Sequence, residues 1–424
     1  MTSFKGKLLC FFASLVFSTA AGACAQGLGP SEWTQFRLNA QNNAVVPGNL
    51  SATWFVRTGG PISASPTIVD GTIYIGNNAG WLYALDAASG SVKWRFRVSD
   101  PLMSAPLVYN DLVIVGEGNE QSVGPTPSAP LYVGTNTNAL LAFERTTGTL
   151  RWRTLLPGSG MPTPAIVNGV LVHHNGAGWV TALDPATGRK LYARDLHSIA
   201  SMVAALPIGT DRFITSGVVD NAVWELKASD GSTVWKTAFN PVDSGFGDCP
   251  PVTDGKNLFC DYVAPVPPAT YTIATTPAIE RAFSLDVATG AKRWDVELER
   301  GILPERNEAG IPLLANGLLY LGSAIAPYMH AIDPGSGRVI WKWKARGPVK
   351  GGVAASADAI YFGDLAGYLW AIDGRTGKVI GDKKMGSGFN VGSPLIVGQT
   401  LIIGSRVGTI YAVPTATIRS SHDT

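Results

Sequence analysis

Short apolar runs of alternating character recur along most of this chain, each followed by polar residues, a glycine and an aromatic. Trp81-Leu-Tyr-Ala-Leu85, Trp179-Val-Thr-Ala-Leu183 and Tyr368-Leu-Trp-Ala-Ile372 read as strands with one face turned to a core. The phrase that follows pairs Asp86 with Gly90 and Trp94, Glu144 with Gly148 and Trp152, and Asp184 with Gly188 and Tyr192. It returns with Gly231 and Trp235, Gly290 and Trp294, and Gly337 and Trp341, then with Gly377, where Ile380-Gly381 replace the aromatic. An acidic side chain accepts from turn amides, and glycine takes the positive φ that other residues resist. An indole on the outermost strand can plug the gap between neighbouring sheets while its N–H keeps one hydrogen bond. These tryptophans therefore read as structural. A period of about forty residues built from short strands predicts a β-propeller.

Counting units sharpens the expectation. Inner hairpins start near Ser65, Ala105, Thr163, Ala205, Pro250, Ile311, Ala354 and Ser393, whereas the outer-strand phrase occurs seven times. The final hairpin ends without one, and the missing strand is supplied by Ala52-Thr-Trp54-Phe-Val-Arg57. The fold expected is all-β: an eight-bladed propeller of four-stranded antiparallel blades, its ring closed by an N-terminal strand that leaves no free edge. A length of 424 alone would suggest two or three domains, and the unbroken repeat overrules that. The division is 1–25 as an export signal, 26–51 as an N-terminal extension, 52–413 as a single propeller and 414–424 as a C-terminal tail.

Charge and cysteines narrow the setting. Charged residues make up 15% of the chain and the net charge is +2 with no dense basic run, so nucleic-acid binding gains no support. Lys5 and Lys7, the apolar run Leu8 to Val16 and the small residues after it have the order of a signal peptide, with Ala23-Cys24-Ala25 as the cleavage site. Ala21-Gly22-Ala23-Cys24 alternatively resembles a bacterial lipobox, which would tether a periplasmic protein to the outer membrane through a lipid on Cys24. No later stretch is long and apolar enough to cross a membrane as a helix. Cys249 and Cys260 remain after processing and flank a turn at 253–257, near cross-strand register, so a disulfide is expected in an oxidising compartment.

The phrase A-x-D-x-x-T-G-x-x-x-W, cleanest at Ala84–Trp94, Ala182–Tyr192 and Ala371–Ile380, resembles the tryptophan-docking repeat of the PQQ-like, quinoprotein-type propellers. Trp33-Thr-Gln-Phe36-Arg37-Leu-Asn39 resembles the W-x-Q-F-R-x-N segment that precedes the ring in such proteins. The resemblance covers nearly the whole mature chain and implies fold more than activity. One branch, the quinoprotein dehydrogenases, implies pyrroloquinoline quinone (PQQ) and calcium at the ring axis. That branch has adjacent cysteines packing on the quinone, which are missing here, as is any C-x-x-C-H haem site. The other, BamB-like branch is a non-catalytic, exported docking scaffold, and blade count, size and signal match it.

Chemistry is sought where the loops leading into the inner strands form one mouth of the channel. Those loops carry Ser63, Ser104, Thr163, Asp248, Arg306, Asn307, Glu308, Lys350 and Asn390. Asp248, Asn307, Glu308 and Asn390 offer oxygens for a hard cation such as calcium, and Arg306 and Lys350 can meet carboxylates. A solvated polar rim is the plainer reading. His173-His174 sit next to one another on a strand and point to opposite faces, so they do not form one metal site. Gly386-Ser-Gly388 precedes a strand and lacks the helix a phosphate loop requires.

Two intervals are long: Trp94 to Trp152 is 58 residues and Trp235 to Trp294 is 59. Such insertions suit partner recognition, and Tyr262, Val266 and Tyr271 are the interface candidates. The reading is an exported, monomeric, non-catalytic propeller without cofactor that binds an envelope protein or peptide. A PQQ- and calcium-dependent dehydrogenase is the alternative, and a glycan-binding propeller a further one.

Overall fold

The computed structural model describes residues 29–119, 122–123, 131–132, 137–266, 275–304 and 309–421. Eight antiparallel sheets are arranged as blades. Blade 1 shows the plan, with Thr67–Val69 innermost, then Thr72–Gly76, Trp81–Asp86 and Val92–Arg97 outermost. Blades 2 to 7 repeat it over 107–155, 165–195, 206–238, 252–302, 313–344 and 354–384. In blade 8 the three strands Leu395–Val397, Thr400–Gly404 and Thr409–Pro414 are completed by Trp54–Arg57, which pairs from Trp54 opposite Ala412 to Arg57 opposite Thr409. Eight blades and closure through the N-terminus are thus as expected.

The repeated phrase works as a joint between blades. The Trp54 indole donates to Ala87 O (3.0 Å), Trp94 to Arg145 O (2.8 Å) and Trp152 to Pro185 O (3.0 Å). Trp235, Trp294 and Trp341 do the same to Val287, Pro334 and Gly374. At the Tyr192 joint, a phenol donates to Lys227 O at 3.3 Å. Each indole acceptor lies in the next blade's turn, just beyond the acidic position, whereas Lys227 occupies that position itself. The glycine of that turn has a second duty. A Cβ at Gly90, Gly148 or Gly188 would lie 2.6 Å from the docked indole, so the absent side chain makes the seat for the ring as well as permitting the positive φ.

The eighth joint, between blades 7 and 8, is different, because blade 7 carries Gly381 in place of an aromatic. There the C-terminal tail forms a short helix, Thr415–Arg419, that packs on the outer strand of blade 7. A Cβ on Gly381 would stand 2.2 Å from Ile418 O; Asp382 N–H donates to Ser421 O (2.9 Å), and Arg419 pairs with Asp358 at 2.6 Å. The tail is therefore the wedge between blades 7 and 8, where the docked aromatic is missing.

The N-terminal extension precedes the ring in sequence, and in space residues 30–46 run inside it, across the inner strands. Trp33 bridges Val108 in blade 2, and Ile166 of blade 3 donates to Thr34 O. Thr253 of blade 5 and Leu314 of blade 6 donate to Ala40 O and Gln41 O, and Asn43 exchanges bonds with Ala355 of blade 7. Val45–Val46 then adds a parallel fifth strand to blade 8, opposite Ile396 and Val397. Short inner strands leave backbone groups facing the axis, and buried backbone groups require partners. The extension supplies them.

The long interval in blade 5 mostly lengthens strands, as Asn257–Pro265, Pro277–Asp286 and Lys292–Ile302 run to 9, 10 and 11 residues. Tyr262 is consequently a core residue. It is 5% exposed, its ring stacks on Phe246 at 5.0 Å between centroids, and its hydroxyl donates to Asp295 at 3.1 Å. Its expected interface role is corrected accordingly, because strand extension buries it. Val266 is half-buried at the strand end, and its N–H donates to Pro277 O. Tyr271 lies outside the described residues. In blade 2 the inserted segment contributes a two-residue pairing, Ser122–Val123 with Leu131–Tyr132.

Candidate functional site: the axial pocket

The extension converts a channel into a pocket. Phe36 packs with Ala105, Ala204 and Ile311 on the axis, and Arg37 is wholly buried beside it. The Arg37 guanidinium donates to Asn42 O (2.7 Å), to Pro394 O (3.0 Å) and to Val353 O, which holds blades 7 and 8 to the plug. Asn42 Nδ2 reaches Pro250 O and Pro312 O of blades 5 and 6 (3.3 and 3.2 Å). Arg37 and Asn42 have φ of 50° and 57°, left-handed geometry that over-determined hydrogen bonding sustains. Burial lowers the Arg37 pKa to about 9, so the group stays cationic at neutral pH. Among the described residues, no carboxylate lies within ion-pair distance of it.

Beside Phe36 remains a small pocket of about 20 Å3, room for about one water molecule, lined by Ser63, Ser65, Met103, Ala105, Thr163, Met202, Asp248, Ala309, Ile311 and Val391. Of the residues expected at the mouth, Ser63, Thr163 and Asp248 meet here, and the Asn390 amide reaches the Ser63 hydroxyl at 3.4 Å. Ser104 is turned into its own blade, where its Oγ donates to Gly116 O and accepts from Gly116 N–H. Lys350 is half-buried and does not line the pocket. Arg306, Asn307 and Glu308 lie outside the described residues. Phe36, Ser65 and the two methionines were missed; the W-x-Q-F-R-x-N segment was the available signal for Phe36.

A second group of acids escaped sequence reasoning. Asp261, Glu280 and Glu299 share one face of blade 5: Asp261 pairs with Ala282, two residues from Glu280, and Glu280 pairs directly with Glu299. Burial, with Glu280 beside it, pushes the Asp261 carboxyl well up, and burial likewise raises Glu280. Asp261 accepts the Gly310 N–H at 2.7 Å, and Glu299 accepts from His330 at 3.0 Å and from Lys342. The disulfide joins Cys249 to Cys260 with Cα atoms 6.1 Å apart. Strand pairing of Val252 with Phe259 sets Cys260 opposite Pro251, so the bond ties the loop leading into blade 5 to its second strand rather than linking register partners. His173 and His174 are both buried and serve packing. His173 meets Pro162 O, His174 meets Thr215 Oγ1 and Ser198 O, and burial lowers their pKa to about 3 and about 4.

Calcium with pyrroloquinoline quinone would need several oxygens on one ion and a flat slot for the ring system. Among the described residues Asp248 is the one carboxylate lining the pocket, and Phe36 with Ile311 fills the space below it. The described residues do not fit that group.

The ring, its docked indoles and its axial plug define an eight-bladed propeller of the PQQ-like repeat class. A family model described as "Outer membrane protein assembly factor BamB" matches residues 32–124, 121–208 and 280–418, and the chain belongs to that family. It is similar to the tetrathionate hydrolase of Acidithiobacillus ferrooxidans, at 27% identity over 92% of this chain and 87% of that protein. It is also similar to the outer membrane protein assembly factor BamB of Moranella endobia, at 25% identity over 82% of this chain and 84% of that protein. The solved structure of BamB from Moraxella catarrhalis superposes with a TM-score of 0.62 at 14% identity, covering 86% of this chain and 99% of that one, which shows the shared fold.

Proposed function

We propose that the axial pocket is a hydrolytic site for a small sulfur oxyanion of the tetrathionate kind, with Asp248 as the group that takes a proton from the attacking water. The observation that carries this reading is a plugged channel leaving a small, mostly apolar pocket with one carboxylate among the described residues on its wall. The whole-length similarity to tetrathionate hydrolase supports it. Tetrathionate is two sulfonates joined through sulfur–sulfur bonds, and the pocket beside Asp248 has room for the attacking water rather than for the whole dianion. In the step proposed, water oxygen bonds to a central sulfur and its proton passes to Asp248. The central S–S bond breaks with its electron pair leaving on thiosulfate, and the other half departs as the hydroxysulfanyl sulfonate. Proton transfer by a positioned carboxylate contributes roughly 10²–10⁴-fold. Purified mature chain incubated with tetrathionate should release thiosulfate, read by ion chromatography, and Asp248→Asn should lose at least about 100-fold in kcat. Thiosulfate release no faster than in buffer from pH 2 to pH 8 would overturn the assignment.

A second reading is an exported scaffold that binds an envelope protein or peptide. It is favoured by the family match and by a groove at the closing seam, lined by Trp54, Phe55, Met385, Tyr411 and Thr417, where Phe55 is 62% exposed. Periplasmic location, through a signal peptide or a lipid on Cys24, belongs to this proposal too. Crosslinking from a photoreactive residue at position 55 in envelope extracts should capture a defined partner; an unlabelled result equal to a position-92 control counts against it.

A further inference from the structure

The groove between blades 7 and 8 has a volume of about 610 Å3, and most of its wall is apolar, with Trp54, Phe55, Met385, Tyr411 and Val413 among the lining residues. A space of that size seats a bound side chain rather than a single water. Trp54–Arg57 runs along it as the outermost strand of blade 8. Among the described residues that strand pairs on one side only, with Thr409–Pro414, so its other edge presents unused backbone donors and acceptors. The charge around the groove has one sign. Asp382 is the one carboxylate in the stretches 51–69 and 379–421 that build this seam, and it is buried. The same stretches carry Arg57, Lys383, Lys384, Arg406 and Arg419. Lys383 lines the groove, and Arg57 lies 5.9 Å from the centre of the Phe55 ring. Arg57, Lys383 and Arg406 make no ion pair among the described residues. On blades 4 and 5, by contrast, Lys236 pairs with Asp220, Arg281 and Lys292 with Asp295, and Arg300 with Glu297.

We infer that blade 8 takes a further strand from a partner: an extended acidic segment that pairs along the open edge of Trp54–Arg57 and seats an apolar side chain in the groove. The inference rests on the scaffold reading for the existence of a partner and supplies that partner's chemistry. Burial alternates along 54–57, half-buried then exposed, so Phe55 and Arg57 project from one face of the strand. Residues of an added strand that stand opposite them share that face. The partner therefore carries an apolar residue opposite Phe55 and, two positions away, a carboxylate opposite Arg57. Main-chain hydrogen bonds give such pairing its affinity, and the alternate side chains give it specificity. Basic segments are rejected, because Arg57, Lys383 and Arg406 repel them. A flat lipid surface meets neither the strand edge nor the depth of the groove.

Fluorescence anisotropy with a labelled Thr-Asp-Thr-Phe-Thr-Asp-Thr peptide tests this, since its aspartates flank the phenylalanine on one strand face in either direction of pairing. The peptide should bind the mature chain, and the same peptide with lysine for aspartate should not. Arg57→Glu and Lys383→Glu should each weaken binding at least roughly tenfold, the scale of one hydrogen bond to a charged group. Lys344→Glu, an exposed change on blade 6, should bind like the parent, and circular dichroism should show all three variants folded. Should Lys383→Glu fail to fold, Arg57→Glu, on an exposed side chain, carries the test alone. A peptide that does not bind, that binds equally well with lysines, or that binds Arg57→Glu like the parent overturns the inference. So does Arg57-dependent sedimentation with phosphatidylglycerol vesicles in place of peptide binding, which assigns the surface to lipid. Peptide binding without any partner crosslinked from position 55 sinks the scaffold reading and leaves the strand site standing. A crosslinked partner still captured by Arg57→Glu and Lys383→Glu does the reverse.

Discussion

Gly188 and Gly169 lie in the same blade at nearly the same backbone angle, φ +70° and +76°, yet they are predicted to respond differently to a methyl group. At Gly169 a Cβ meets nothing within 4 Å. Gly169→Ala therefore pays only left-handed strain of about 1–2 kcal/mol, partly offset by about 0.4–1 kcal/mol of lost unfolded-state freedom. At Gly188 the same Cβ would stand 2.6 Å from the Trp152 ring and 2.8 Å from Thr154 Oγ1. Relieving that contact displaces the indole, adding about 1–3 kcal/mol of overpacking. It also endangers the Trp152 bond to Pro185 O and the Thr154 bond to Gly188 O, each about 0.5–1.5 kcal/mol. Gly188→Ala should thus cost at least about 2 kcal/mol more than Gly169→Ala in urea titrations followed by circular dichroism. In a Trp152→Ala background most of that excess should vanish, giving a coupling energy of similar size. Equal costs for the two glycines, or strict additivity with Trp152→Ala, would refute the idea that the repeat's glycine is the seat of the preceding blade's indole.

Other expectations concern pH and the seams. His173 and His174, near pKa 6.5 when unfolded and near 3 and 4 when folded, stabilise fully above pH 6.5 and lose that contribution as pH falls. The loss is about 1.4 kcal/mol per histidine per pH unit, and His174→Asn should flatten the decline measured between pH 7 and pH 5. Glu280 runs the other way: its folded pKa is raised, so its contribution is lost as pH climbs above the unfolded value. Glu280→Gln should accordingly gain stability over the parent at pH 8 and converge with it near pH 4; a constant offset would contradict the burial argument. Truncation after Pro414 removes the helix wedged on Gly381 and should lower the unfolding midpoint. It should also speed hydrogen exchange in blades 7 and 8 ahead of blades 2 to 4, which uniform exchange would disprove.

Much of this molecule is legible in one dimension. The forty-residue period, the Asp–Gly–Trp joint and the deficit of one outer strand establish eight blades and closure by Trp54–Arg57, because strand alternation and turn chemistry are local. The disulfide was legible in the same way, and so were Ser63, Thr163 and Asp248 as mouth residues, since propeller topology assigns each blade's leading loop to the axis. What folding alone decided are contacts between segments far apart in sequence. Residues 30–46 lack any periodic pattern, since their shape is imposed by inner strands from 108 to 397 that they satisfy one blade at a time. Tyr262 could not be placed either, because the same inserted residues can form an exposed loop or a longer strand, and packing on Phe246 chose the strand. Nor could the sequence reveal that Asp261, Glu280 and Glu299 share a face, since register across three strands sets that proximity. The blades follow from local rules; the pocket exists because the chain's own beginning fills the rest of the channel.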